Sequence, residues 1–160
     1  VYCDGIRYAV SCKKAGFSEV FIIPDISVAN LMKRKLIGKV VFGANGIDPT
    51  GDFGHTAGHL AIADLANKYK IPVYVIADTG KFGQFPWNQA LERKHPWLTR
   101  DPKAIDELTK YDIKLLNPRE DRVSRKCVNM LITERGVFPP TRIPDDLKNK
   151  PSSPKKPQSK

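Results

Sequence analysis

The chain has 160 residues and a formal net charge of +10, with 41% hydrophobic and 9% aromatic residues. This length predicts one globular domain whose core is stable without a disulfide or a metal. No apolar run approaches the length of a membrane span, so we expect no membrane-spanning segment. The three cysteines, Cys3, Cys12 and Cys127, lack C-x-x-C spacing, which disfavours zinc and indicates free thiols in a reducing, cytoplasmic setting.

The positive charge is concentrated at the end of the chain. Residues 148–160 carry five lysines and no acidic residue, which is half of the net charge. Their Pro, Ser and Lys content predicts a disordered tail, either solubilising or binding. The rest is mildly basic, which suits a phosphorylated ligand or an acidic protein as well as RNA. Because no RNA-binding signature with interleaved aromatic residues is present, nucleic acid is not the partner we expect.

The first third of the chain predicts strand and helix in alternation. The chain begins at Val1 without a methionine, as if at the end of a strand, so we interpret it as a fragment or an excised domain. Residues 6–15 have helical spacing and are followed by Gly16 as a C-cap. Residues 19–24 read as a strand, and Ser27 is placed to N-cap a helix over residues 28–34.

The central stretch predicts a βαβ unit. An apolar run at residues 40–42 is followed by a polar, glycine-rich loop through residue 54, a helix over residues 60–69 and a second strand at residues 72–77. Such strands are parallel, and ligands bind beyond their carboxyl ends. This places residues 43–52 and 78–82 on the functional rim.

The remaining elements complete an α/β pattern. We predict an irregular excursion at 83–102, a helix at 103–110, a strand at 113–116, a turn at 117–118, a strand at 127–134, an end of regular structure at 136–140 and a short helix at 144–147. Five or six parallel strands with alternating helices indicate a Rossmann-like, doubly wound, mostly parallel sheet with helices on both faces. The domain is expected over residues 1–147 and the disordered tail over 148–160.

The start of the central helix is a candidate site. His55 and His59 are four residues apart and follow Asp52, a spacing that could hold a metal on one helical face. It lacks the glutamate of H-E-x-x-H and a fourth ligand, so two polar histidines near a helix N-terminus are favoured. The loop glycines and the free N–H groups there would instead suit a phosphate, with His55 and Thr56 as further donors. The alternative is a loop that only joins strand to helix.

Other residues have a functional and a structural interpretation. Trp87 and Trp97 could anchor a partner or pin their own loop. Cys12 and Cys127 are expected in the core rather than as nucleophiles.

Several segments, in order, resemble one family. They are Ile23-Pro24-Asp25-Ile26-Ser27-Val28-Ala29, Gly43-Ala44-Asn45-Gly46-Ile47, the stretch Pro72 to Phe82, His95-Pro96-Trp97, Asn117-Pro118-Arg119-Glu120-Asp121 and Leu131 to Pro140. They resemble the alpha, beta and delta regulatory subunits of translation initiation factor 2B and the sugar-phosphate isomerases of the same fold. The resemblance covers the C-terminal, Rossmann-like half of a family member.

The resemblance implies a domain that dimerises and assembles with itself or with paralogous subunits into an exchange factor for translation initiation factor 2. It also implies a rim pocket that accepts a sugar phosphate or a nucleotide. Asp25 and Asp78 would then recognise sugar hydroxyls. The alternative for both is helix capping or a structural ion pair, with Lys81 or Arg135 as partner.

The departures from the family bear on catalysis. The methylthioribose-1-phosphate and ribose-1,5-bisphosphate isomerases carry an acid/base aspartate where this chain has Asn45, whose amide has no proton to exchange near neutral pH. Their Asn-Lys-Ile-Gly-Thr segment aligns with residues 55–59, and their catalytic cysteine would lie upstream of Val1.

We therefore predict a non-catalytic regulatory and assembly domain that needs no cofactor and no metal. The alternatives are an aldose-ketose sugar-phosphate isomerase with altered site residues, and a small-molecule-binding module without a role in translation. The residues expected to bind the ligand are Asp25, Asn45, Gly46, Asp52, His55, Thr56, Asp78 and Lys81.

Overall fold

A computed structural model describes residues 4–83, 110–111, 113 and 120–149. The chain forms two compact units, residues 1–28 with 94–117 and residues 29–93 with 118–160. The helices are α1 (Asp4–Lys14), α2 (Val28–Lys33), α3 (His59–Lys68) and α4 (Asp145–Lys148). The strands are β1 (Val40–Phe42), β2 (Gly46–Ile47), β3 (Phe53–Thr56), β4 (Val73–Ile76), β5 (Glu120–Val123), β6 (Met130–Thr133) and β7 (Gly136–Phe138).

The first unit contains the predicted helix α1. It ends at Lys14, and the predicted capping residue Gly16 follows with a φ of +91° that favours glycine. The strand predicted at residues 19–24 is wrong, because those residues join no β-ladder in the structure. Apolar, β-branched composition favours a strand only where a partner strand supplies the hydrogen bonds. Ser27 is likewise not the N-cap of α2; it ends a 3₁₀ turn (Asp25–Ser27) that leads into α2.

The second unit is built on a four-stranded sheet in the order β1-β4-β6-β7. β1 pairs with β4 and β4 pairs with β6 in parallel, while β7 is antiparallel to β6. The predicted βαβ unit and the α/β, mostly parallel fold class are therefore confirmed. The described residues contain three parallel strands rather than five or six.

One face of this sheet forms the core. Successive side chains of a strand point to opposite faces, so Val73 and Val75 are fully buried while Ile76 is 53% exposed. Ala63 and Ala66 of α3 are also fully buried. The spacing of apolar residues seen in the sequence therefore corresponds to the side chains on this buried face.

A second sheet corrects the prediction for residues 43–54. This stretch is not only a loop, since it contains β2 and β3, which pair antiparallel with each other. β5 then pairs antiparallel with β3, giving the order β2-β3-β5. The partner strand β5 lies some seventy residues later in the chain, so the short, glycine-rich segment carried no local sign of a sheet.

A hairpin corrects the prediction for residues 136–140. β6 and β7 are joined by a two-residue turn at 134–135, with Gly136 at a φ of +129°. The Thr133 hydroxyl donates to the carbonyl of Gly136 at 3.0 Å and fixes the turn. The two prolines that follow concealed this strand in the sequence.

The last helix confirms a predicted element. α4 ends at Lys148, one residue beyond the predicted end of this helix at residue 147. Several predicted features lie outside the described residues. They are the elements and tryptophans between residues 84 and 109, the strand and turn between 114 and 118, and residues 150–160. Within the described ranges, every helix is too short or too polar to span a lipid bilayer.

Candidate functional site

The rim of the second unit begins where β1 ends. The chain turns at Gly43 directly beneath the ring of His55. A Cβ on residue 43 would lie 3.4 Å from His55 Nε2, so a larger residue here would press on the imidazole. The backbone N–H of Asn45 donates to the carbonyl of Gly54 at 2.8 Å. The predicted rim residue Asn45 is therefore held against the second sheet.

The second sheet brings a carboxylate to Asn45. Gly46 pairs with Gly54 across β2 and β3, and Thr56 pairs with Glu120 across β3 and β5. In this register, Asn45 Nδ2 donates to Glu120 Oε1 at 3.4 Å. Sequence reasoning did not select Glu120, although it lies in one of the segments that resemble the family. Gly46 itself is buried in β2 and acts through its backbone.

The two predicted histidines meet, but not on one face of a helix. His55 lies on β3 and His59 opens α3. Their rings stack at a centroid separation of 3.8 Å and an angle of 19°. The predicted arrangement, in which the two histidines lie on one face of a helix as possible metal ligands, is therefore wrong. Among the described residues, no cluster of three or more His, Cys, Asp or Glu side chains is placed to hold a metal ion.

Hydrogen bonds assign the protons of the two rings. His55 Nδ1 accepts from the backbone N–H of Thr56 at 2.8 Å, so a neutral His55 carries its proton on Nε2. His59 Nδ1 faces the carbonyl of Thr56 at 2.7 Å and must donate to it. Burial, then His59 and then Lys81, lower the pKa of His55 to about 4. His55 is therefore a neutral Nε2–H donor near neutral pH.

The N-terminus of α3 is already capped by the protein. The carboxylate of Asp121 accepts hydrogen bonds from the N–H groups of Gly58 at 2.8 Å and Leu60 at 2.9 Å. A side-chain anion thus occupies the place where we expected a phosphate. Thr56 has its hydroxyl directed at the two imidazoles, 3.0 Å from His55 Nδ1.

The carboxylate of Asp52 stabilises the turn between β2 and β3 and is not one of the rim groups. It accepts from Arg122 Nε at 2.9 Å and from the backbone N–H of Arg125 at 2.9 Å. Beside it, the buried Asp48 accepts from the N–H and the hydroxyl of Thr50. Arg122 also donates to Asp48 at 3.2 Å. These carboxylates fix the turn between β2 and β3.

The segment after β4 contributes the remaining predicted residues. Asp78 caps a 3₁₀ turn (Thr79–Lys81) by accepting from the N–H of Gly80 at 2.8 Å, which agrees with the capping alternative. Glu134 at the end of β6 accepts from the hydroxyl of Thr79 at 2.5 Å and fixes the same turn. Lys81 is the cation of this rim and acts electrostatically on His55. The alternative partner Arg135 instead pairs with Asp146.

The structure also describes two further residues that were considered in the sequence. Asp25 belongs to the first unit, where it opens the 3₁₀ turn Asp25–Ser27. Cys127 ends a 3₁₀ turn (Arg125–Cys127) rather than lying in a strand. Burial and the neighbouring Asp64 raise the pKa of its thiol, so it is a poor nucleophile.

The described rim therefore consists of an amide, a carboxylate, a neutral imidazole and an ammonium: Asn45, Glu120, His55 and Lys81. Such a set can hydrogen-bond hydroxyl groups and neutralise an anion. In Rossmann-like domains, ligands bind beyond the carboxyl ends of the parallel strands, which is where this polar rim lies.

The family follows from comparison with known proteins. A sequence model of the Initiation factor 2 subunit family matches residues 2–140, and the chain belongs to this family. The chain is 33% identical over 145 residues to a methylthioribose-1-phosphate isomerase of Thermotoga maritima, covering 87% of this chain and 41% of that protein. It is 28% identical over 133 residues to the protein of that name from Parabacteroides distasonis, covering 81% and 39%.

Solved structures agree in fold. A 5-methylthioribose 1-phosphate isomerase from Pyrococcus horikoshii aligns with a TM-score of 0.66 and 24% identity, over 84% of this chain and 38% of that one. A translation initiation factor eIF-2B from the same organism aligns with a TM-score of 0.66 and 24% identity, over 90% and 46%. The chain spans about two fifths of the length of the curated relatives named above. The regulatory function predicted from sequence is not confirmed, and the relatives' names support the isomerase alternative at least as well.

Proposed function

We propose that this chain supplies the sugar-phosphate-binding rim of an aldose-ketose isomerase of the family. The observation that carries the proposal is the similarity, over most of the chain, to relatives named methylthioribose-1-phosphate isomerase. It is supported by a rim that combines hydrogen-bonding groups for hydroxyls with a cation for a phosphate.

Each rim group has a role in this proposal. Lys81 attracts the phosphate, and neutral His55 donates a hydrogen bond from Nε2 without adding charge. Asn45 orients the reacting end of the sugar. Aldose-ketose isomerisation moves a proton between neighbouring carbons and needs a group that exchanges protons, which an amide cannot do. Since the resemblance places the family's catalytic cysteine outside this sequence, turnover is proposed for a longer polypeptide that carries this chain.

A second candidate is favoured by Asn45 itself. By the resemblance, position 45 is the acid/base aspartate of the isomerases, and its replacement by an amide suits a domain that recognises a ligand without converting it. The domain would then act as a regulatory subunit that assembles with its own copies or with paralogous subunits on translation initiation factor 2.

Binding and turnover separate the candidates. The chain is titrated with 5-methylthioribose 1-phosphate and with ribose 1,5-bisphosphate by calorimetry, with Lys81→Met and the distant Lys33→Met as matched variants. We expect binding that K81M weakens about tenfold and K33M leaves unchanged. The absence of binding by the unaltered chain would contradict the ligand-binding proposal.

Turnover is then measured on a longer polypeptide that carries this chain. Conversion of either sugar phosphate that is lost in Asn45→Ala supports the isomerase. Tight binding without conversion supports the regulatory candidate.

A further inference from the structure

We propose that Glu120 fixes the orientation of the Asn45 amide and thereby makes the rim select a ligand hydroxyl rather than a phosphate oxygen at this position. The inference rests on the proposed function, because it assigns the phosphate and one hydroxyl of a sugar phosphate to two parts of the same rim. Glu120 would be a specificity-determining residue that acts mainly through Asn45.

The pair is positioned by the backbone of three strands. Asn45 is tied to β3 by its N–H bond to Gly54, and Glu120 is in register with Thr56 on the other side of β3. Neither backbone position can shift without breaking this ladder. The sheet therefore brings the two residues within reach of each other, and Asn45 Nδ2 lies 3.4 Å from Glu120 Oε1.

The hydrogen-bonding chemistry of the pair decides which end of the Asn45 amide faces Glu120. A carboxylate only accepts hydrogen bonds, so the amide must turn its NH₂ group toward Glu120. Its carbonyl oxygen Oδ1 then faces away from Glu120 and is the atom that meets a ligand. A carbonyl oxygen accepts from a hydroxyl and cannot bind a phosphate oxygen that has no proton.

The negative charge of Glu120 favours the same orientation of the ligand. A phosphate beside Asn45 would also approach the negative carboxylate of Glu120, and like charges at hydrogen-bonding distance repel. Lys81, which follows β4, offers the opposite charge. The sugar phosphate is therefore oriented with its phosphate toward Lys81 and a hydroxyl at Asn45. In the sugar 1-phosphates proposed as ligands, the hydroxyl next to the phosphate is the one on carbon 2, and we assign this hydroxyl to Asn45.

The pairing is tested first without a ligand. The side-chain NH₂ signals of Asn45 are followed by ¹⁵N NMR while the pH is lowered through the range in which carboxylates take up protons. We expect a large shift in the unaltered chain and a much smaller one in Glu120→Gln, where His55, whose pKa is about 4, still titrates nearby. Signals that do not respond to pH in the unaltered chain would overturn the pairing.

Selectivity is tested with two probes, ribose 1-phosphate and 2-deoxyribose 1-phosphate, which carry the phosphate at the same position as the proposed ligands. One hydrogen bond at the rim predicts about tenfold tighter binding of the ribose compound. In Glu120→Ala the amide can rotate, and the preference should fall to about twofold, whereas in E120Q the acceptor oxygen of Gln keeps most of the preference. The same preference in E120A and the unaltered chain, with ribose 1-phosphate still bound, would overturn the inference and leave the proposed function standing. If neither compound binds, the proposed function fails and this selectivity fails with it, while the NMR titration still decides the pairing.

Discussion

Asp121 on β5 caps helix α3 by accepting a hydrogen bond from the backbone N–H of Leu60 at 2.9 Å. The same carboxylate oxygen accepts from Gly58 at 2.8 Å. A negative charge here satisfies unpaired donors and interacts favourably with the positive end of the helix dipole. The strand that carries Glu120 to the rim therefore also anchors the central helix.

Removing this cap should destabilise the fold. We expect Asp121→Ala to lower the free energy of unfolding by about 1–2 kcal/mol, because two N–H groups lose their acceptor. Thermal unfolding followed by circular dichroism would show this as a decrease in Tm of about 4 °C. Glu19→Ala, which removes an exposed carboxylate with no recorded partner among the described residues, should change Tm by less than about 1 °C. Equal effects of the two substitutions would contradict the capping role.

Replacing Asp48 should lower the free energy of unfolding more than replacing the nearby Asp52. Asp48 is 5% exposed and accepts from the N–H and the hydroxyl of Thr50 and from Arg122. Its replacement by Ala removes the acceptor of several hydrogen bonds and one partner of the Arg122 ion pair, and we expect a loss of about 1–3 kcal/mol. Asp52→Ala removes a more exposed carboxylate and should cost less. Urea denaturation of both variants measures the difference.

Gly51 and Gly58 both have a left-handed backbone conformation, so the same substitution can be compared at the two positions. Their φ angles are +93° and +108°, so alanine is strained at both positions by about 1 kcal/mol. A Cβ at Gly51 would lie 2.5 Å from the carbonyl oxygen of Pro140, whereas a Cβ at Gly58 would meet nothing within 4 Å. We expect Gly51→Ala to be more destabilising than Gly58→Ala by about 2 kcal/mol, measured by chemical denaturation. Similar values would show that Pro140 does not restrict the turn.

The stability of the fold should depend on pH through His55. Its pKa is about 4 in the folded chain against 6.5 ordinarily, so the unfolded chain takes up this proton first as the pH falls. Stability therefore rises with pH between about 4 and 6.5, and the loss on acidification is about 1 kcal/mol after allowance for solvent screening of a half-exposed ring.

His55→Gln is the control for this pH effect, since Gln can still accept from the backbone of Thr56 but does not titrate. Denaturation at pH 4.5 and 7 should show a smaller pH difference in H55Q than in the unaltered chain. An imidazole that titrates near 6.5 by NMR would contradict the prediction.

Restoring the family's aspartate at position 45 should create a conflict with Glu120. In Asn45→Asp two carboxylates would face each other, and one of them would hold a proton to unusually high pH. We expect the variant to lose about 1 kcal/mol near neutral pH and to recover it in the double variant with Glu120→Gln. A double-mutant cycle by urea denaturation measures this coupling. Additive effects would show that the two side chains do not interact.

The sequence by itself determined the α/β class and the elements that lie close together along the chain. Val40 to Phe42 and Val73 to Ile76 are short apolar runs on either side of a helical pattern, and local periodicity is enough to predict a parallel pair with its rim. The same glycine-rich turn is one of the segments that carry the family resemblance. These features depend on neighbours within a few residues, where side-chain spacing and backbone preference act directly.

Only the tertiary structure decided which groups share the rim. Glu120 meets Asn45 across 75 residues of sequence, and Asp121 replaces the phosphate expected at α3 across 61. The same long-range pairing turned a glycine-rich loop into β2 and β3, and without a partner residues 19–24 form no strand. Pairing between distant strands is set by the register of the whole sheet and leaves no local periodicity by which a single sequence could reveal it.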